Sequence, residues 1–558
     1  MKRKVLAVLL AASMVGSLAA CGSDGSGSSS SSKDGSGTNE STGSGEEGSD
    51  GASSAGETSD IDTSEHVVIT YLTVGDKPNN TANEDILAEL NKILTEKVNA
   101  ELDVYNIGWT DYMSNYRLTL TQMDGSVDLV SAADWMEEWA LAKDGAFLTL
   151  TEDMLSTYCP TTYSEVPQEH WDMCKYNGEI MFIPEDSYTQ RTNHGFIYRL
   201  DWAKEAGLED GVHSWDDLTE YFRWVKANKE DVIPWDVCGG NSVWENLGGW
   251  LTSNVDELLW GVGATNTGTI IKQTEDNKVY NQYFEYRDEL VEYAKLMKEW
   301  DEIGVWRTDV LNNTSSDNRA DYRIGKTSVD QHHTQTWTDL VSPGIANNTI
   351  YQDDPDAESG FFWFGEEKNH VTNESVVHGT MAISAASENP ERALMVYDLL
   401  RNDPECYRLI NYGIEGRQYA INEEGERYVP DTYDKEKDEF MFDFWEGRTD
   451  KNELKDARLN WDAIDAMYET LDAAGVDNPY LQFVFDQDPV QTQISNVTQV
   501  TDKYMKLLTY GKYDGTAEEF IDKFLDELKA AGVEDIDNEV QRQLNEFYGV
   551  NETAAPIE

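Results

Sequence analysis

Aromatic and planar polar side chains are abundant in this sequence, which contains 17 Trp, 28 Tyr and 16 Phe. Aromatic rings stack on the apolar C–H faces of sugar rings, and Asp, Asn, Gln, Arg and His side chains hydrogen-bond to sugar hydroxyls. If the ligand is a saccharide, we therefore expect Trp or Tyr beside planar polar side chains on loops at the ends of strands.

Two groups of candidate residues follow predicted strands or lie in polar loops. Asp76 comes just after the first strand, and Tyr188, Arg191 and His194 lie in a long polar loop. Their side chains could hydrogen-bond to a ligand, and that of Tyr188 could also stack on one. Because the loop is long and polar, we expect it to be exposed to a ligand cleft.

Two further groups of candidates each contain a Trp residue. Asn241, Trp244 and Glu245 come after a Gly-Gly turn that frees the backbone. Trp363 is a candidate ring, but it lies in the run Phe361–Phe364. Four aromatic residues in a row are more typical of a core strand, so Trp363 could be buried instead.

No enzyme activity, cofactor or metal site is predicted. The sequence contains no motif of the common serine hydrolases, P-loop proteins or zinc proteases. The eight His residues lack metal-ligand spacing, since His332 and His333 are adjacent and His370 and His378 are eight residues apart. Because two carboxylates can always be nominated among 106 acidic residues, a secreted glycan-active enzyme stays an alternative.

The charge balance narrows the classes of partner. Lys and Arg number 43 and Asp and Glu number 106, so the formal net charge is −63. An acidic surface repels phosphate and anionic lipid, which argues against nucleic acid or a polybasic membrane attachment. It also fits a neutral ligand better than an anionic one. The high aromatic content argues that most of the chain folds.

The first 65 residues differ in composition from the rest. Three basic residues at 2–4 precede the apolar stretch Val5–Val15, which is too short to span a bilayer. Leu18-Ala19-Ala20-Cys21 resembles the lipobox of bacterial lipoproteins. Residues 1–20 are therefore predicted to be a signal peptide and Cys21 the lipidated residue, with an ordinary signal peptide as the alternative. Residues 21–65 are predicted to be a disordered Ser-, Gly- and acid-rich tether.

The remaining chain is longer than one hydrophobic core usually supports, so two lobes are expected. It opens with the predicted strands His66–Val74, Glu101–Ile107 and Val127–Ser131, which alternate with helices. This alternation predicts a parallel sheet, and ligands usually bind beyond the carboxyl ends of such strands. The C-terminal third is predicted to be mainly helical.

The other cysteines and several Trp residues are interpreted as structural. Four cysteines are too few for a disulfide framework, although a bridge between Cys159 and Cys174 stays open. The Trp residues assigned to packing are Trp250, Trp260, Trp300, Trp306, Trp445 and Trp461.

Short motifs in a characteristic order point to a known family. They are Asn177-Gly178-Glu179, Ser214-Trp215-Asp216-Asp217-Leu218, Gly325-Lys326-Thr327, Gly379-Thr380-Met381-Ala382, Asn389-Pro390-Glu391 and Glu539-Val540-Gln541-Arg542. With the lipobox they resemble the extracellular solute-binding proteins (family 1) of bacterial ABC importers, in the lipoprotein subgroup and similar to oligosaccharide-binding proteins.

The resemblance implies a periplasmic-binding-protein-like α/β fold, with two lobes, a hinge of crossing strands and a ligand cleft between the lobes. It places the N-terminal lobe at 66–193 and 325–378 and the C-terminal lobe at 194–324 and 379–500. The last segment, 501–558, is expected to form helices that pack across one or both lobes.

The family pattern also implies ligand contacts. Asp134-Trp135, after the third strand, corresponds to a sugar-contacting loop, with a helix cap and a core Trp as the alternative. The segment of Trp244 matches a contact loop of the second lobe. The other candidates, from inter-lobe segments and a lid, are Gln331, His332, Trp337, His378 and Arg417.

Together these features predict a monomeric, lipid-anchored protein on the extracellular face of the cytoplasmic membrane. It would capture an oligosaccharide by lobe closure and deliver it to the permease subunits of an ABC transporter. A manno- or xylo-oligosaccharide is our guess for the ligand. The alternatives are a binding protein for a peptide or another solute, a secreted glycan-active enzyme and a surface glycan adhesin.

Overall fold

The computed structural model describes residues 61–549 apart from residues 111, 190, 239–242, 276 and 346–347. The predicted signal peptide, the lipidation site Cys21 and nearly all of the predicted tether lie outside the described residues, as does Asn241. Asp62–Glu558 form one compact unit. Across the described ranges, none of the helices combines the length and the apolar character needed to cross a membrane.

A five-stranded sheet, the N-terminal sheet, organises the first part of the chain. In sheet order its strands are Ala100–Ile107, Val67–Val74, Leu129–Ala132, Thr380–Ile383 and Ile183–Pro184. The first three strands are parallel, and Thr380–Ile383 runs antiparallel to both of its neighbours. The predicted parallel opening is therefore confirmed. The middle one of the three parallel strands, VVITYLTV, is largely apolar, as expected for a strand that is covered on both faces.

A second, three-stranded sheet, the central sheet, has His194–Arg199 in the middle. Val329–His333 and Ser359–Trp363 pair with it antiparallel, one on each side. Because side chains alternate along a strand, Phe196 and Ile197 face opposite sides of the sheet. Phe196 belongs to the largest hydrophobic core and Ile197 to a smaller one.

The C-terminal helices Gln491–Thr509, Ala517–Ala531 and Val533–Phe547 pack into the same large core as a third sheet. The strands of that sheet are Leu259–Gly261, Thr269–Lys272 and Val279–Asn281. The helix Ala517–Ala531 begins with a capping box, in which the Thr516 hydroxyl accepts the Glu519 N–H and the Glu519 carboxylate accepts the Thr516 N–H. The C-terminal segment is therefore helical, as expected.

The remaining elements are short or connect the sheets. The other helices are Ala82–Val98, Tyr112–Gln122, Glu138–Lys143, Glu152–Tyr158, Pro160–Glu165, Gln168–Met173, Leu200–Glu205, Trp215–Asn228, Val243–Asn254, Gln282–Glu285, Arg287–Ile303, Asn318–Arg323, Thr334–Leu340, Ile350–Asp353, Pro390–Asn402, Pro404–Tyr412, Lys435–Asp438 and Trp461–Ala474. Two-residue strands form three further pairs, Lys175–Tyr176 with Glu179–Ile180, Val371–Thr372 with Gly475–Val476, and Ala420–Ile421 with Arg427–Tyr428.

Two large hydrophobic cores show which segments fold together, and they change the predicted lobe boundaries. The strand Thr380–Ile383 and the helix Pro390–Asn402 belong to the core of the N-terminal sheet, although 379–500 was assigned to the C-terminal lobe. Conversely, strands within 325–378 pair with His194–Arg199, which was assigned to the other lobe. The lobe to which a segment belongs depends on the strand with which it pairs. Local sequence patterns do not show which distant strands pair. Cys159 and Cys174 lie in the core of the N-terminal sheet, and both thiols are free.

The last helix is joined to the third sheet through a buried carboxyl group, and this gives a pH-dependent stability prediction. Asp537 is 1% exposed and accepts hydrogen bonds from Thr269 (2.7 Å) and Asn281 (3.3 Å). Burial raises the pKa of Asp537 to about 7. A carboxyl group whose pKa is raised in the folded state reduces the stability of the fold as pH rises from its unfolded-state pKa of about 4, where the unfolded chain begins to ionise, towards 7. The full loss of stability is present above pH 7 and is absent below about pH 4.

Asp537→Asn is therefore expected to raise the melting temperature most at pH 7 and above, and progressively less as pH falls towards 4. Both native bonds go to Oδ1, which the amide retains. Melting curves of both proteins between about pH 4 and 8.5 check this, because subtracting one from the other removes the contribution of all other titrating groups. Parallel pH profiles would contradict the assignment.

Candidate functional site

Four aromatic side chains, Trp109, Tyr112, Trp135 and Trp445, form an aromatic surface beside the N-terminal sheet. The centroid of the Trp109 ring lies 6.1 Å from that of Trp135 and 6.4 Å from that of Trp445, with interplanar angles of 24° and 32°. Tyr112 meets Trp109 and Trp135 edge-on. The three Trp side chains are 38%, 36% and 41% exposed. Exposed Trp rings that lie together mark an interaction site more often than packing.

The parallel strands explain why Trp109 and Trp135 meet. Trp109 follows the strand Ala100–Ile107, and Trp135 follows Leu129–Ala132. Carboxyl ends of parallel strands lie at one edge of a sheet, so the loops after them are neighbours. Asp76, which follows the strand between these two, accepts a hydrogen bond from the Trp109 N–H at 3.1 Å and holds its loop. Asp76 and Trp135 therefore lie at the predicted edge.

A cavity of about 650 Å³ adjoins the aromatic surface, because Trp445 lines both. Its wall also contains Tyr188, Gln335, Trp461 and Tyr468. Trp445 was assigned to packing from the sequence, but its side chain is exposed. Trp461 packs against the smaller core, as assigned, and also lines this cavity. Both come from loops and helices far along the chain from the N-terminal sheet, so no local pattern showed that they line a cavity.

The cationic side chains in this cavity are paired with carboxylates. The pairs are Arg427–Asp456 at 2.8 Å, Arg448–Glu453 at 2.7 Å and Lys455–Asp465 at 3.6 Å. The Arg448 guanidinium also lies 4.1 Å from the centroid of the Tyr188 ring. These groups can still donate hydrogen bonds to hydroxyls, but their charge is already compensated.

A second cavity, of about 440 Å³, shares Tyr188 and Thr189 with the first. Arg191 lines it, donates a hydrogen bond to the Asn373 side chain at 3.1 Å and forms an ion pair with Asp472. Tyr188 and Arg191, predicted from one polar loop, therefore both face cavities.

Asp134, His378 and Glu374 lie side by side next to the second cavity, with the His378 ring between the two carboxyl groups. His378 Nδ1 lies 3.2 Å from Asp134, and His378 Nε2 lies 3.1 Å from Glu374, which lines that cavity. Burial opposes protonation of His378, but the hydrogen bond to Asp134 and the charge of Glu374 raise its pKa above the ordinary value. The predicted residues Asp134 and His378 are thus brought together.

His194, Gln331 and His332 lie together on the central sheet. Gln331 Nε2 is 3.5 Å from His194 Nδ1, and the rings of His194 and His332 are 5.7 Å apart. Burial lowers the pKa of His194, and the Glu245 carboxylate acts on it in the opposite direction. Burial also lowers the pKa of His332 to about 2, so this imidazole is neutral and can both donate and accept.

Two predicted ligand-binding rings are instead buried. Trp337 and Trp363 are each 4% exposed in the smaller core, where Trp337 stacks on Phe361 with centroids 5.9 Å apart. Phe361 and Trp363 are two residues apart on one strand and share a face, which side chains of the helix Trp461–Ala474 cover. The core-strand alternative for Trp363 therefore applies.

Two further predicted residues have structural contacts. Arg417 forms ion pairs with Asp85 and Asp438, each at 2.7 Å, and does not line either cavity. These contacts do not support the predicted role of Arg417 as a lid residue. Trp244 is half-buried against the largest core, and the neighbouring Glu245 is exposed. In the described part of the chain, no cluster of three or more His, Cys, Asp and Glu side chains could hold a metal ion.

Trp109 was missed in the sequence although a signal existed. It follows the second strand as Trp135 follows the third, so the same rule applied to both loops would have found it. Trp445 carried no such signal, because the segment that contains it joins the N-terminal sheet only through tertiary contacts.

Comparisons with known proteins agree with this architecture. Residues 479–549 match a family described as a domain of unknown function (DUF3502). The chain is 24% identical over 502 residues to a carbohydrate ABC transporter substrate-binding protein of Streptococcus pneumoniae, covering 87% of this chain and 92% of the relative.

Two solved structures of the N-glycan transport solute binding protein NgtS from S. pneumoniae have the same fold. One shows 21% identity and a TM-score of 0.67, covering 88% of this chain and all of the other. The second, in complex with Man1GlcNAc, shows 23% identity and a TM-score of 0.63, covering 87% of this chain and all of the other. The chain therefore has the periplasmic-binding-protein-like α/β fold that the resemblance found in its sequence implies.

Proposed function

We propose that this chain is the carbohydrate-binding component of an ABC importer, which captures an oligosaccharide and delivers it to permease subunits. The observation that carries the proposal is the aromatic surface, in which Trp109, Trp135 and Trp445 lie together, exposed, beside a cavity lined by hydrogen-bonding side chains. Trp rings supply stacking platforms for pyranose faces, and the polar groups can bond to hydroxyls. The named function of the S. pneumoniae relative supports the same reading.

The ligand we propose is an uncharged saccharide. The three cations of the larger cavity are already paired with carboxylates, and Arg191 is paired with Asp472. A sugar carboxylate would have to compete with these pairs and would lie among further acidic groups such as Glu374. A manno- or xylo-oligosaccharide remains the guess made from the sequence, and an N-glycan fragment is suggested by the NgtS complex.

The mechanism is capture without covalent chemistry. A saccharide that contacts segments of both hydrophobic cores favours the closed arrangement in proportion to its extra contacts there. Closure also removes water, which strengthens the hydrogen bonds to hydroxyls. Delivery from the extracellular face, anchoring through a lipid on Cys21 and a monomeric state belong to this proposal and rest on the sequence. Binding of a peptide or another solute is the alternative.

A thermal-shift panel tests the proposal. Defined manno-, xylo- and gluco-oligosaccharides, a uronic-acid oligosaccharide and unrelated peptides are each added to the protein. A ligand at a hundred times its Kd should stabilise the fold by about 2.7 kcal/mol. We expect an uncharged saccharide to raise the melting temperature and to reduce the radius of gyration in solution scattering. Stabilisation by peptides, with none from any saccharide, would reject carbohydrate binding.

A further inference from the structure

The segment 439–447, which supplies Trp445, is attached to the N-terminal sheet by side-chain-to-backbone hydrogen bonds. The Asn83 amide donates to the Met441 carbonyl at 2.7 Å and accepts from the Met441 N–H at 3.1 Å. The Tyr71 hydroxyl donates to the Asp443 carbonyl at 3.0 Å. The segment therefore lies across the sheet without being one of its strands.

Glu446, next to Trp445, is the most deeply buried carboxyl group of this segment, with 2% exposure. Its carboxyl group accepts hydrogen bonds from the Tyr71 hydroxyl at 3.2 Å and from the Ser131 hydroxyl. Its backbone carbonyl accepts a third bond from the Tyr397 hydroxyl at 2.7 Å. Side chain and backbone are thus both held.

These bonds join Trp445 to the strands that position the other rings. Tyr71 is on the strand Val67–Val74, and Ser131 is on the neighbouring strand Leu129–Ala132, whose following loop carries Trp135. Burying a carboxyl group costs free energy unless it is hydrogen-bonded. Both carboxyl oxygens of Glu446 accept a hydrogen bond. A shift of Glu446 would break both bonds and would move the adjacent Trp445.

The backbone beside Glu446 is also constrained. Asp443 has a φ of 43°, in the left-handed region that non-glycine residues seldom adopt. Gly75, at the end of the first strand, leaves room for the Asp443 carboxylate, since a Cβ at Gly75 would collide with it. The segment 439–447 therefore packs closely against the end of the first strand. A strained backbone such as that of Asp443 is kept only where the surrounding structure enforces it.

We propose that Glu446 is a positioning residue for the aromatic surface, because its carboxyl group fixes the segment 439–447 to two strands and so holds Trp445 beside Trp109. The inference deepens the proposed function and rests on it for its biological meaning. The ring geometry can nevertheless be measured without any ligand, so failure of one proposal is distinguishable from failure of the other.

The test uses circular dichroism near 230 nm, where neighbouring indoles couple. Other stacked Trp pairs, such as Trp215 and Trp300 at 5.8 Å, contribute too, so Trp445→Phe first defines the part that depends on Trp445. Glu446→Ala is expected to lose more than half of that difference signal. Glu446→Gln, which keeps the shape and a hydrogen-bonding amide, is expected to retain most of it.

Asp537→Ala is the matched control, because it removes another buried carboxyl group, in the C-terminal helices. It should leave the Trp445-dependent signal unchanged even if it lowers the melting temperature, and all spectra are taken well below each melting transition. A signal that survives in Glu446→Ala, or that Asp537→Ala removes equally, would overturn the proposal.

Crystal structures of the variants provide a second measurement. In Glu446→Gln the Trp109–Trp445 centroid distance should stay near 6.4 Å, and in Glu446→Ala Trp445 should move or lose its order. If Glu446→Ala does not fold, Tyr71→Phe and Ser131→Ala each remove one donor and should each reduce the signal. An unmoved Trp445 in all these variants would show that Glu446 does not position it.

Discussion

Replacing Trp135 with alanine is expected to weaken binding of the stabilising saccharide by more than about tenfold, a loss of roughly 1.4 kcal/mol. The physical reason is the loss of one stacking face, since burial of an aromatic ring against an apolar surface contributes on that order. Trp135 is 36% exposed and stacks beside Trp109, so the change removes little from the core. Titration calorimetry with the saccharide identified by the panel measures the effect.

Two variants make this result specific to the aromatic surface. Trp135→Phe retains a ring and should recover part of the affinity. Trp224→Ala removes a half-buried Trp from the helix Trp215–Asn228, which packs in the largest core, and should leave the affinity unchanged. Unchanged affinity in Trp135→Ala, or an equal loss in Trp224→Ala, would remove Trp135 from the proposed site.

Arg401→Ala is expected to have the largest effect on stability, a loss of about 3–5 kcal/mol. Arg401 is 1% exposed, and its guanidinium donates to the Pro184 carbonyl at 3.0 Å and to the Asp186 carboxylate at 2.7 Å. The Asp186 side chain is itself only 2% exposed. Removing Arg401 therefore leaves a buried carboxylate without its main counter-charge, which costs more than the pair contributes. Urea unfolding of both proteins measures the difference.

The double variant Arg401→Met, Asp186→Asn separates loss of packing from the uncompensated charge. It removes both charges and keeps similar volumes, so it should be more stable than Arg401→Ala. If the two variants are equally destabilised, the buried charge is not the cause. A loss below about 1 kcal/mol in Arg401→Ala would show instead that water compensates Asp186.

The beginning of the fold could be predicted from the sequence because its signals are local. Strands alternate with helices from residue 66 to residue 132, and this pattern alone indicates a parallel sheet with loops at one edge. The same reasoning placed Asp76 after the first strand, and the family resemblance added Asp134 and Trp135 after the third, where all three lie at that edge. Applied to the second strand, it would also have found Trp109.

Local signals failed where distant segments decide burial. Trp337 and Trp363 were predicted to face a ligand, but contacts with the helix Trp461–Ala474 cover them, a hundred or so residues further along. The lobe boundaries after residue 324 were misplaced for the same reason, since strand pairing joins Val329–His333 to His194–Arg199. Neither burial by a distant helix nor pairing with a distant strand changes the local hydrophobic periodicity of a segment.

The sequence by itself determined the fold class, the acidic charge and the loop that carries Trp135. These depend on composition and on patterns within a few dozen residues. Only the tertiary structure decided which of the 17 Trp residues are exposed together. Trp445 joins Trp109 and Trp135 because Glu446 bonds to Tyr71 and Ser131, more than 300 residues earlier in the chain. Such a contact depends on the packing of the whole unit, so the sequence around these residues gives no signal that they belong to the site.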